Sequence, residues 1–224
     1  MKHTSPRLIL ALMAIAAATG CATESHRSVE TARPVSAGTA YNGPQSSLIV
    51  ARFNNRSTYL QGMFSDGVDR LGSQAKTVLI SHLQSTGRFA VLDRDNLSDL
   101  AREAQMGGAT QSLQGAEYAL TGDVTEFGRK ETGDQQLFGI LGSGKKQTAY
   151  SKVTLNVIEV RTSRVVYSVQ GAGEYALSNR EVVGFGGTAS YDSTLNGKVL
   201  DLAIREAVDR LVEGIEKGQW KPGK

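Results

Sequence analysis

The chain has 224 residues, with 25 Lys and Arg against 22 Asp and Glu and a pI near 9.0. Without the first 20 residues, read below as a cleaved leader, 23 basic side chains face 22 acidic ones. No basic block of five or more occurs, so the balance gives no support for nucleic-acid binding. The single Cys excludes an intrachain disulfide, so a chain exported to an oxidising compartment must rely on packing or on assembly.

Residues 1–20 have the three parts of a bacterial secretory leader. Lys2 and Arg7 form the basic start, the apolar run from Leu8 is too short to span a bilayer, and Ala18, Thr19 and Gly20 precede Cys21. A Cys directly after Ala-Thr-Gly is the lipobox pattern, so Cys21 is expected to carry a covalent lipid such as palmitate and to begin the mature chain. Ala22, where an Asp would retain the protein at the inner membrane, points to the outer membrane. Residues 21–46 are rich in Ser, Thr, Ala, Gly and Pro and poor in large aliphatics, which reads as the lipidated Cys and a flexible tether. One folded domain is then expected over 47–224.

Leu48 to Phe53 is a short β-branched run that reads as a buried strand. Val68, Leu71, Ala75, Val78, Leu79 and Leu83 recur at helical spacing up to Gly87. A second strand follows at Phe89 to Leu92. A helix from about Asp95, with Leu97, Leu100, Ala101 and Ala104 facing inward, stops at Gly107-Gly108. Tyr118 to Phe127 makes a third strand. Val153 to Val160 and Val165 to Val169, joined by the polar stretch Arg161 to Arg164, read as an antiparallel hairpin. A helix from about Gly197 closes the chain, its inner face running from Leu200 to Ile215. The fold class is therefore α+β, an α/β layer with added antiparallel strands.

Two segments, 128–148 and 170–196, are too long for routine turns. In the second, Tyr175, Leu177, Val183, Phe185 and Tyr191 lie on one alternating face for the length of a transmembrane strand on each arm. A lone hairpin leaves unpaired edges in hydrocarbon, so such a segment must join others in a closed ring. The first segment is polar on its rising arm, with an apolar tip at Leu137 to Leu141, and alone reads as a surface loop. Soluble β-extensions are the alternative for both.

Catalytic groups are scarce. His3 leaves with the leader, His26 lies in the tether, and His82 sits beside the apolar face of the first helix, where a structural role fits best. There is no G-x-S-x-G elbow, no H-E-x-x-H and no Cys/His ligand cluster, so the chain reads as a non-enzyme without a metal or cofactor other than the lipid. Asp93-Arg94-Asp95 is read as an ion pair or helix cap.

The chain resembles the curli secretion channel family, the CsgG-type outer-membrane lipoproteins. The resemblance rests on Cys21, on the strand-to-helix passage 87–105, on 115–127, on Phe138-Gly139-Ile140, on 153–169 and on the closing helix ending at Trp220. It implies a lipid-anchored domain in the periplasm whose copies form a homo-oligomeric ring. Each copy would supply two hairpins, at 128–148 and 170–196, to one transmembrane β-barrel that passes unfolded curli-like or adhesive polypeptides, with possible periplasmic accessory proteins. It also implies a pore constriction from a Tyr-x-x-x-Asn-Phe loop. Tyr59 and Phe64 keep that spacing, and Met63 stands in place of the Asn. The alternative reading keeps the same fold as a soluble periplasmic lipoprotein adaptor that activates or positions a cell-envelope enzyme.

Overall fold

A computed structural model describes residues 31–59, 68–135, 143–180 and 194–221. Five strands form one sheet in the order β2-β1-β3-β4-β5. They are β1 (Ser46–Asn55), β2 (Phe89–Val91), β3 (Tyr118–Gln135), β4 (Ser143–Glu159) and β5 (Arg164–Arg180). The helices are α1 (Arg70–Ser85), α2 (Leu97–Met106) and α3 (Thr194–Glu216), with a short 3-10 turn at Val35–Gly38. β1 lies parallel to both β2 and β3, as strand-helix-strand crossovers require, whereas β3, β4 and β5 are antiparallel neighbours. The fold is mixed α+β.

α1 begins where the Asp69 carboxylate accepts the Gly72 amide and ends before Gly87, whose φ of 69° turns the chain into β2. Its apolar stripe of Leu71, Ala75, Leu79 and Leu83 is buried against Leu48, Val50 and Phe53 of β1. α3 buries Val199, Leu200, Ala203, Ile204, Ala207, Val208 and Leu211 completely, so these two helices fill one face of the sheet. Trp220 closes the base of this core, stacked near Phe89 and Tyr167 and edge-on to Tyr118, with its indole N–H donated to Leu211 O.

Three expectations need correction. α2 has no buried residue and Leu100 is 45% exposed. Its stripe of two Leu and two Ala is small, and the core is already filled by α1 and α3. The tether does not extend to residue 46, because Pro34 and Ser36 are buried and the following turn is bonded to the body. α3 starts at Thr194, three residues before Gly197.

Candidate functional site

β3, β4 and β5 run well past the helix layer. β1 accompanies β3 only as far as the pair Asn55↔Val124, while β3 continues with β4 to Gln135↔Ser143 and β4 with β5 to Gly144↔Arg180. The first turn of α3 marks the end of the helix layer, where Asn196 Oδ1 accepts from Arg129 Nε at 2.8 Å. Beyond it the rows are Lys130–Thr148–Ala176, Glu131–Gln147–Leu177, Thr132–Lys146–Ser178, Gly133–Lys145–Asn179 and Asp134–Gly144–Arg180. Every row contains a charged residue. Among the described residues, β3 past Val124 has no strand on its outer side, and β5 is the edge of the sheet over its whole length. Among the described residues the distal ribbon thus has three strands and two open edges.

The structure redraws both expected hairpin segments at their inner ends. In 128–148, Gly128 is buried under the Tyr150 ring and Ala149 lies in the core, so the part beyond the body begins at about Lys130. In 170–196, Gly171 and Gly173 belong to the packed body. A Cβ on Gly171 would stand 2.1 Å from Ala203 O of α3, and one on Gly173 would stand 2.8 Å from Val199 O. Their small, alternating pattern serves the close approach of a helix. At the other end, Asn196 belongs to α3. Tyr175 is at the margin, 39% exposed and with the Lys198 ammonium 5.3 Å from its ring centroid. β5 includes Leu177 in its backbone, and Val183, Phe185 and Tyr191 lie outside the described residues.

Of the expected constriction residues, Met63 and Phe64 also lie outside the described residues. Tyr59 is half-buried. Its ring packs on Phe127 with centroids 4.8 Å apart, and its hydroxyl accepts from Asn196 Nδ2 at 2.7 Å. Asn55 Nδ2 holds Tyr59 O at 2.8 Å. Tyr59 is therefore fixed to the start of the distal ribbon and to α3. Cys21 lies outside the described residues.

The remaining polar groups have structural partners. His82 is buried between α1 and α3 with Nε2 2.7 Å from Asp201 Oδ1. Asp93 accepts from the Asn96 side chain and from the backbone of Asn96 and Asp95, which holds its carboxyl below the usual range, and Asp95 pairs with Lys76. Among the described residues no group of three or more His, Cys, Asp or Glu could hold a metal ion, and no helix is long and apolar enough to cross a membrane.

Sequence reasoning missed a second feature, a polar clamp on the N-terminal turn. Asp209 of α3 accepts from Val35 N, Ser36 N and Ser36 Oγ at 2.7–3.0 Å. Arg88, whose side chain is 4% exposed, donates to Ser36 O, Thr39 Oγ1 and Glu216 Oε1 and lies over the Tyr41 ring.

The family model described as Curli production assembly/transport component CsgG matches residues 31–223, taking in the clamp, the sheet and the distal ribbon. The chain belongs to the CsgG family. It is 58% identical to a Neisseria meningitidis serogroup B protein named "Putative lipoprotein NMB1126/NMB1164", over the full length of both. Among solved structures, this CsgG-family chain is similar to the PelC dodecamer from Paraburkholderia phytofirmans. That match has 16% identity, 77% of this chain and 92% of that chain covered, and a TM-score of 0.34. The lipoprotein GNA1162 from Neisseria meningitidis matches at 16% identity, with 78% and 100% covered and a TM-score of 0.35.

Proposed function

We propose that this CsgG-family chain is a lipoprotein of the bacterial outer membrane. Acylated at Cys21 and facing the periplasm, it closes with copies of itself into a ring that exports unfolded polypeptides. The observation that carries the reading is the distal ribbon of β3, β4 and β5, which among the described residues has no strand on either outer side. Long open edges invite strand pairing, and a ribbon open on both sides closes head to tail with identical neighbours. The name of the meningococcal relative supports the lipid anchor. The role of the chain is structural and positional, with no chemical step assigned to it. The sequence from Glu174 through residue 193 is long enough for two arms of about nine residues and a two-residue turn, close to a transmembrane strand each. Tyr59, Met63 and Phe64 would narrow the lumen at the level where the ribbon leaves the body.

The charges in the ribbon favour a second reading, a ring or adaptor that stays outside the hydrocarbon. A strand that alternates between lumen and lipid accommodates adjacent charges poorly, and the sequence here carries Lys145-Lys146. A Lys on the lipid side costs about 2–4 kcal/mol at the bilayer midplane and far less near the headgroups. Mild detergent extraction followed by sizing and planar-bilayer conductance decides between them. A pore gives a ring of several copies with channels whose conductance changes in Tyr59→Ala. A ring without conductance supports the adaptor reading, and a stable monomer rejects the ring in both forms.

A further inference from the structure

Three segments on which the proposed pore depends meet at one side-chain amide. Asn196 stands in the first turn of α3, at the end of the expected hairpin 170–196. Arg129 lies on β3 at the start of the expected hairpin 128–148, and Tyr59 is the first of the three expected constriction residues. Asn196 Oδ1 accepts from Arg129 Nε at 2.8 Å, and Asn196 Nδ2 donates to the Tyr59 hydroxyl at 2.7 Å. The chemistry of the three groups fixes this arrangement. A guanidinium only donates, so it faces the amide oxygen, and the amide nitrogen is thereby turned to Tyr59.

The main chain of Tyr59 is held separately from its ring. Its carbonyl accepts from Asn55 Nδ2 at 2.8 Å, and Asn55 Oδ1 accepts from Ser57 N and Ser57 Oγ. The Asn55 backbone N–H donates to Asp69 Oδ2, on the carboxylate that also caps α1. The backbone at residue 59 is therefore tied to β1 and to the start of α1, and none of these bonds involves Asn196. The ring has two contacts of a different kind. Against Phe127 it lies tilted by 46°, an apolar contact that tolerates sliding, whereas the bond at its hydroxyl is directional and sets where along Phe127 the ring stops.

We propose that Asn196 is a positioning residue for the constriction. It holds the Tyr59 ring at one place against Phe127 and ties that place to Arg129, on the strand by which the ribbon leaves the body. The inference rests on the pore reading and adds which residue sets the aperture. Asn196 touches the passing polypeptide in no step of this account and acts only through Tyr59. Its substitution should therefore change the steadiness of the opening while leaving the fold and the ring in place, because the backbone ties at Asn55 and Asp69 remain.

The test is single-channel recording in planar bilayers from the full-length, membrane-extracted protein, with ring size and thermal unfolding measured on the same preparations. Asn196→Leu removes both bonds with little change of shape. One ordinary hydrogen bond lost at Tyr59 raises the occupancy of displaced ring positions by about fivefold, and the open-channel current fluctuations rise in step. Asn196→Asp keeps an acceptor for Arg129 and another for the proton of the Tyr59 hydroxyl, so its fluctuations stay at the unaltered level. Tyr59→Phe, which lacks only the hydroxyl, behaves as Asn196→Leu does, and combining the two adds nothing further. Unaltered fluctuations in a folded Asn196→Leu ring, an Asn196→Asp ring as noisy as the Leu variant, or effects of Asn196→Leu and Tyr59→Phe that simply add, each overturn the positioning role and leave the pore intact. Unaltered protein that forms no conducting ring overturns the pore reading and the role of Asn196 together. If Asn196→Leu does not assemble, Tyr59→Phe against Asn196→Asp decides: a noisier Phe variant beside a steady Asp variant supports the role, and any other result overturns it.

Discussion

Gly171 and Gly173 show how a residue type can be read correctly as small and assigned to the wrong neighbour. Alternation along β5 suggested a membrane face, yet the atoms nearest a Cβ at these positions are the carbonyl and amide groups of α3. A periodicity of two reports that a face exists and leaves open whether lipid, solvent or a helix covers it. Gly171→Val would force α3 away from β5 across the most buried part of the core, which predicts a loss of about 3 kcal/mol or more in chemical or thermal unfolding. The nearby Ala176→Val, on exposed backbone beyond that contact, should stay within about 0.5 kcal/mol. A comparable loss at both positions would remove the helix-contact account of Gly171.

At the scale of elements, the strongly periodic pieces were legible and the polar ones were not. α1, α3 and the β4–β5 hairpin follow from apolar spacing that a short window can see. α2 was legible as a helix, but its burial was not, because inward packing depends on whether the core still has room. The clamped N-terminal turn was invisible for another reason. Its composition is that of a tether, while its partners lie 52 and 173 residues away at Arg88 and Asp209. Arg88 is held in the core end of this clamp by acceptors from the turn, from Thr86 and from Glu216, so the turn is part of its hydrogen-bonding shell. Asp209→Ala removes three of the bonds to Val35 and Ser36 and should speed cleavage of 35–45 by a broad-specificity protease on the order of tenfold, with α3 unchanged in its protection. Equal cleavage rates in the two proteins would show that the turn is held by other contacts.

For the whole molecule, the clamp would give the anchor proposed at Cys21 a leash of defined length. Twelve residues, Ala22 to Arg33, separate Cys21 from the clamped turn, and fully extended they reach about 40 Å. Along α3, Asn196 at the distal ribbon and Asp209 at the clamp are 13 residues apart, a rise of about 20 Å. Under the proposed function, the length of this segment would let a lipid on Cys21 reach the level of the ribbon while Val35 stays bound to Asp209. Deleting 23–30 leaves four residues with a reach of about 14 Å, shorter than that rise. The deletion should preserve acylation and folding but lower ring recovery and channel conductance. Adding Asp209→Ala to it should restore both, because the released turn lengthens the leash. Full assembly of the deletion alone would show that the clamp and the inserted ribbon are never held at once. Failure of Asp209→Ala to rescue would mean that the leash acts by its sequence rather than its length.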